Sequence, residues 1–274
     1  VSSSFVFSNL YDLNGLLSFG KLRASWAEVG GDTRPYMLNL NYGLLNYNFN
    51  ELPLGQVSSG SIPNLNLKPT RTYSYEFGLD LRFLNNRLNL DISHYNQKTR
   101  DQILDLSISN TSGFSTAIVN SGEISNRGIE LSINATPLET KDFSWNIIVN
   151  YARNVNKVVE LHPELDAFVL AEARWAGALI QAKEGEPYGA IMGAAFERDP
   201  DGNVIYNNGL PVVGSDYKVL GHGVHDWTGG VGNFITYKGF RLGALFDVKW
   251  GASLYSMSSI TAHANGISKE TLEG

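Results

Sequence analysis

The chain has no cysteine. A disulfide scaffold and a thiolate metal site are excluded at once. It has no basic excess: 21 Lys and Arg stand against 27 Asp and Glu, a net charge of −6 with an isoelectric point near 5.4. A general nucleic-acid binder carries a basic footprint, and this composition has none. Charged residues make up only 18% of the chain, below the roughly 25% of ordinary soluble domains. No apolar run nears the ~18 residues that a membrane-crossing helix needs. That absence leaves strands open, because a transmembrane strand needs only about 9–11 residues with alternate ones apolar. The chain starts at Val1 without a signal-peptide pattern and stops at SKETLEG without a terminal motif. It is expected to be a piece of something longer.

What the chain does have is alternation. In TYSYEFGLDLRF (72–83), Tyr73, Tyr75, Phe77, Leu79, Leu81 and Phe83 alternate with polar residues, and after Asn85-Asn86 the beat resumes with Leu88, Leu90 and Ile92. A period of two predicts strands with one apolar and one wet face. Eight strands are expected, over 2–9, 20–29, 71–84, 87–100, 122–136, 143–156, 226–237 and 240–251. Their connections alternate in length. Leu10 to Phe19, Asn85-Asn86, Pro137 to Asp142 and Lys238-Gly239 are short; 30–70, 101–121 and 157–225 are long. A transmembrane barrel keeps such a rule, with short turns on one side of the membrane and long loops on the other. The 157–225 segment contains strand-like pieces at 190–196 and 203–206. Parity requires it to be one large extracellular loop, with a hairpin around Asp199 to Asn203.

The faces sort by chemistry. Tyr73, Tyr151, Trp227 and Trp250 fall at one end of their strands, and Phe83, Trp145, Tyr237 and Phe240 at the other, all in phase with the apolar face. Two aromatic girdles around an aliphatic band are expected at the two membrane interfaces. The opposite phase holds Glu76, Asp80, Arg82, Asp91, Glu130, Asn146, Asn150, Asp247 and Lys249, which are expected to face a lumen; Ile148 is an apolar exception. Ile124 is out of phase with Ile129, Leu131 and Ile133, which predicts a bulge near Gly128. The rival reading is a soluble all-β sandwich, such as a carbohydrate-binding module, with the apolar faces packed on each other.

No catalytic triad, phosphate loop or acid–base pair in a defined context appears, so no enzyme activity, catalytic residue or cofactor is expected. His222 and His225 form an HxxH pair with only Asp226 near enough to help, so no metal site is expected. Asp199-x-Asp-Gly-Asn203 misplaces the Gly and lacks the final Glu of a calcium loop; a tight turn is expected. The long connections are rich in rings: Tyr36, Tyr42 and Tyr47 (with Phe49) in the first, and Trp175, Tyr188 and Phe196 in the third. A flat ring can stack on sugar or peptide groups with little entropy to lose, or simply pack within a loop or against a partner.

Five phrases in series carry a family resemblance: GKLRASWAEVGGDT (20–33), LKPTRTYSYEFGLDLRFLNNRLNLDISHYNQKTRDQIL (67–104), NSGEISNRGIELSINATP (120–137), DFSWNIIVNYARNVNKVVEL (142–161) and WTGGVGNFITYKGFRLGALFDVKWGASLY (227–255). Together they resemble the SusC/RagA-type TonB-dependent outer-membrane transporters of Bacteroidota. The departure is WAEVGGDT, where Trp26, Ala27 and Glu28 replace a smaller, Gly-containing pattern at a loop base. The resemblance implies an all-β fold, in which residues 1–274 form about eight antiparallel strands of a barrel of about 22. The plug domain and the barrel's C-terminal end would lie outside this chain. It also implies an outer-membrane location and TonB-dependent import of oligosaccharides or peptides. The implied partners are a SusD-like surface lipoprotein, TonB (through a segment outside this chain), the lipid bilayer and the cargo, with no nucleic acid.

Overall fold

The computed structural model describes residues 1–10, 16–163, 165–173 and 177–272. Its main body is one antiparallel sheet. Strands β1 (Ser2–Val6), β2 (Leu17–Gly31), β3 (Thr70–Phe83), β4 (Leu88–Ser107), β5 (Thr116–Glu139), β6 (Phe143–Glu160), β7 (Trp227–Tyr237) and β8 (Phe240–Trp250) pair in that order. Every expected strand is present, and none of the strand-like pieces of the 161–226 connection enters this path. Ala190–Gly193 instead joins Ala167–Ala173, Ala178–Lys183 and Lys218–His222 in a separate four-stranded sheet.

The short connections are set by residues that tolerate positive φ. Tyr237 and Phe240 are the last pair of the β7–β8 hairpin, and Lys238 and Gly239 turn at φ 48° and 87°. Such values suit a two-residue hairpin, because they match the twist of the flanking strands. The β3–β4 turn is longer than the expected Asn85-Asn86. Phe83 and Leu88 form the last pair, and Leu84, Asn85 and Asn86 all take positive φ. Leu84 is held there because its N–H donates to the Leu16 carbonyl, 3.0 Å away, at the neighbouring turn.

The 101–121 connection is mostly strand. β4 and β5 stay paired to Ser107 and Thr116, so only 108–115 turns back. Asp101 and Gly122 face each other with φ of 54° and 62°, which kinks both strands at one level without shifting their register. A Cβ at Gly122 would collide with the Glu160 backbone, so only glycine fits. The bulge expected near Gly128 is absent. Gly128 pairs regularly with Tyr95 and Asn154, and the irregularities of the β5–β6 pair lie at Glu123/Ile124 and Ala135/Leu138. Ile124 therefore stays on the polar face and is buried there. Gly128 is needed for another reason: the Tyr95 ring lies across it, where a Cβ would clash with the phenol oxygen.

Among the described residues no second sheet covers the apolar face of β2–β8. Leu22, Trp26, Tyr75, Phe77, Ile129 and Val231 stand exposed within their strands. The buried hydrophobic residues gather at one rim instead: Val158, Leu161 and Ala182 form a cluster that Phe168, Leu170 and Tyr188 cover. A sandwich would bury both inner faces in a common core about 10 Å thick. An exposed apolar surface of this extent on a soluble monomer marks an interface with something apolar. Among the described residues no helix is long and apolar enough to cross a membrane. The one α-helix among the described residues, Met257–Ala264, is short, exposed and capped by the Ser256 hydroxyl, which accepts from the Ser259 N–H.

Candidate functional site: a two-faced wall and its rim

Register decides which side chains share a face, because neighbours across a strand pair point the same way. Tyr73, Phe83, Trp145, Tyr151, Trp227, Tyr237, Phe240 and Trp250 all fall on the exposed apolar face. Tyr73 and Phe83 are ten residues apart, as are Trp227 and Tyr237, and Phe240 and Trp250. At about 3.3 Å per residue and a tilt near 40°, ten residues rise ~25 Å, the height of the apolar band of an outer-membrane barrel. Tyr151 and Trp227 meet as a tilted ring pair with centroids 5.9 Å apart.

Glu76, Asp80, Arg82, Asp91, Glu130, Asn146, Asn150, Asp247 and Lys249 all fall on the other face. There they join residues that pattern reading passed over. Lys21 reaches Asp80 at 3.3 Å, and Arg82 approaches the same carboxylate at 3.8 Å. Arg23 Nη2 donates to both Asp91 oxygens, at 2.7 and 2.8 Å. Arg23 belongs to β2 and Asp91 to β4, so its side chain must cross β3. It crosses at Gly78, where a Cβ would sit 2.6 Å from Arg23 Nε. The glycine in YEFGLDL is thus explained by a side chain two strands wide. Lys21 and Arg23 were legible in principle, since FGKLRAS carries the same alternation. Further along this face, Asp91, Ser93, Glu130, Ser132, Asn150 and Asp247 line a concavity of about 510 Å³, and Ser132 donates to Asn150.

The 161–226 connection turns back over the polar face at the rim. β7 stops pairing at Ala152, which leaves an edge of β6 free beyond it. Residues 184–188 occupy that edge. The Val158 N–H donates to the Glu186 carbonyl at 2.9 Å, the Gly185 N–H to the Val158 carbonyl at 2.9 Å, and the Tyr188 N–H to Asn156 Oδ1 at 2.7 Å. Val158 is an apolar residue on the polar face that packs with Leu161 and Ala182 under Tyr188, and Ile124 pairs with it.

Of the ring residues singled out in the connections, Tyr188 lines a concavity of about 500 Å³ together with Asp32, Arg34, Met37, Gln102 and Asp105. Burial pushes its phenol pKa up. Tyr36, Tyr42, Tyr47 and Phe196 are exposed and are not among the residues that line it. Trp175 lies outside the described residues. Asp199 to Asn203 forms the expected tight turn: the Asn203 side chain and N–H donate to the Asp199 carboxylate, which holds its pKa below the ordinary value. Among the described residues no group of three or more His, Asp or Glu gathers to hold a metal. His222 Nε2 lies 3.6 Å from Asp226, and its Nδ1 meets the Val224 carbonyl.

A long antiparallel sheet with an exposed aliphatic band, aromatics at both of its edges and a charged reverse face is a piece of a transmembrane β-barrel wall. The chain belongs to the family of TonB-dependent receptor-like β-barrels, whose model matches residues 2–266. It is a segment of an outer-membrane barrel. It is 28% identical over 269 residues to the TonB-dependent receptor P3 of Formosa agariphila, covering 89% of this chain and 27% of that protein. It is 35% identical over 173 residues to the TonB-dependent receptor SusC of Bacteroides thetaiotaomicron, covering 60% of this chain and 17% of that protein. Among solved structures it is similar to the RagAB peptide transporter, with a TM-score of 0.74 at 22% identity, covering 91% of this chain and 29% of that one. The chain thus spans about a quarter of the length of the first of these relatives.

Proposed function

We propose that this chain forms part of the channel wall and outer vestibule of an outer-membrane importer that takes up oligosaccharides or peptides. The energy comes through TonB, by a segment outside residues 1–274, and a SusD-like surface lipoprotein serves as the lid. The observation that carries this reading is the division of one sheet into an uncovered aliphatic face edged by aromatics and a reverse face of paired charges and amides. On this reading the apolar face meets lipid and the polar face lines the lumen, with Lys21, Arg23, Asp80, Arg82 and Asp91 as its fixed charge network. The long connections lie outside the cell. Residues 161–226 narrow the mouth, with Tyr188 offering a ring to passing cargo, while the exposed hairpin around Asn207 is free to meet the lid. The similarity to SusC and to the RagAB peptide transporter supports the importer class, and both cargo types remain within it.

The experiment is a gene deletion in the native host, complemented by the full-length transporter and followed on oligosaccharides and on peptides as sole nutrient. Growth on one class should depend on the gene and on TonB. Growth that is independent of both, or recovery of the full-length protein as a soluble monomer, would overturn the reading in favour of a soluble binding module.

A further inference from the structure

Towards the long-connection end the lipid-side face of β3–β6 changes character. Register places Arg71, Lys98, Arg100, Arg127, Arg153 and Lys157 on the same face as Tyr73 and Tyr151, at the outer margin of the apolar band: Lys98 pairs with Tyr73, Arg153 with Ile129 and Arg127 with Val155. All six are exposed. The reverse face at these levels carries neutral Thr72, Thr99, Gln97, Asn126, Asn154 and Asn156. The clustering is therefore a property of one face, in a chain whose net charge is negative.

The acids on this face answer only part of the charge. Glu28 holds Arg71 at 3.2 Å, and Glu123 is shared by Lys98 at 2.8 Å and Arg100 at 2.6 Å; Glu160 stands opposite Glu123. Arg127, Arg153 and Lys157 make no ion pair among the described residues. Arg127 pairs with Val155, so Arg153 and Lys157 are its two diagonal neighbours on β6, and Lys98 is diagonal to it on β4. Diagonal neighbours lie about 7–8 Å apart, within reach of long side chains. Lys98 is answered by Glu123, but the three unpaired cations, Arg127, Arg153 and Lys157, repel one another unless a further anion sits among them. Arginine forks match phosphate oxygens two at a time, and lysine adds a point charge.

We propose that this patch binds the phosphate groups of a phosphorylated glycolipid in the outer leaflet. The inference rests on the import reading in one respect, that the long connections lie outside. A patch at the outer margin of the apolar band, on the face turned to lipid, meets headgroups rather than cargo, which passes on the other side of the wall.

The test uses the full-length transporter purified in mild detergent. Native mass spectrometry follows its titration with diphosphorylated lipid A, with the same glycolipid dephosphorylated, and with inorganic phosphate. The wild type should prefer the phosphorylated glycolipid. Each cation removed should weaken binding about fivefold, so that Arg127→Gln, Arg153→Gln and Lys157→Gln together cost about a hundredfold, while Arg153→Lys keeps most of the affinity. Heat-modifiable gel mobility verifies that the variants are folded, and Arg127→Gln alone gives the fivefold reading should the triple variant not fold. Equal binding of the dephosphorylated glycolipid, or undiminished binding by the folded variants, would overturn the proposal. Inorganic phosphate binding as tightly as the glycolipid would reassign the patch to a free anion. Because binding is read on purified protein and import by growth, the two readings can fail separately.

Discussion

Leu79 lies near the middle of β3, six residues from Tyr73 and four from Phe83, paired with Leu22 on one side and Ile92 on the other. Replacing it by Arg puts a charge in the centre of the aliphatic band. If that band meets the bilayer midplane, the cost is about 2–4 kcal/mol. The neighbouring residue gives the control. Asp80 points to the other face, where it meets Lys21 at 3.3 Å and Arg82 at 3.8 Å. Water-filled surroundings screen such pairs, and neutralising one partner costs about 0–1 kcal/mol. Leu79→Arg and Asp80→Asn therefore differ by one position and by at least ~1 kcal/mol, in the direction of the apolar residue. The measurement is denaturant-dependent folding of the full-length barrel into lipid vesicles, with Leu90→Arg and Asp91→Asn as a second pair on β4. Equal tolerance within both pairs, or a greater cost for the acids, would refute the assignment of faces.

Gly78→Leu should displace Arg23 from Asp91 and lower stability by about 1–3 kcal/mol, as overpacking does; restored stability in Gly78→Leu combined with Arg23→Ala, in the same vesicle assay, would verify that Arg23 is what the glycine accommodates. On the proposed import reading, with Tyr188 offering its ring to cargo, Tyr188→Ala should slow uptake more than Tyr188→Phe; equal uptake by both variants and the wild type would remove Tyr188 from the proposed cargo path. His263 donates to the Ser259 carbonyl at 2.9 Å and to the Glu270 carboxylate at 2.7 Å, and these two partners, the carbonyl first, raise its pKa above 6.5. A raised folded value means that this contact stabilises below the unfolded pKa and is lost as pH rises through the folded one. Hydrogen exchange at 259–270 should therefore show protection falling with rising pH after correction for intrinsic rates, and His263→Gln should abolish that trend.

The strands were legible because a bilayer imposes a strict contrast. Where one face meets lipid and the other meets water, the period of two is written into every second residue, and all eight strands of the main sheet are visible in TYSYEFGLDLRF and its counterparts. The signal fades where the contrast fades. Past Asp101 and Gly122 both faces of β4 and β5 are wet or roofed by loops, so a paired extension reads as a connection. Ile124 read as an irregularity because its partner Val158 packs with Ala182 and Tyr188, which come from a distant part of the chain. The Leu84 turn depends on a backbone bond from Leu16, which no local pattern encodes. The charges of the polar face were legible singly, but the link from Arg23 over Gly78 to Asp91 needs three strands in register. The cations at the outer margin of the apolar band were passed over because charge at a strand end reads as ordinary solvation until pairing puts six of them on one face.

Single-cysteine labelling tests the central claim most directly, since the chain has no native cysteine to interfere. Asn207 is exposed in the hairpin of Tyr206–Asn207 with Leu210–Pro211, on the long-connection side, and Asn86 is exposed in the β3–β4 turn at the opposite end of the strands. In the full-length transporter of a host strain deleted for the proposed lid lipoprotein, Asn207→Cys should react with a membrane-impermeant maleimide on intact cells. Asn86→Cys should react only after the outer membrane is opened. Labelling of Asn86→Cys on intact cells would contradict the account.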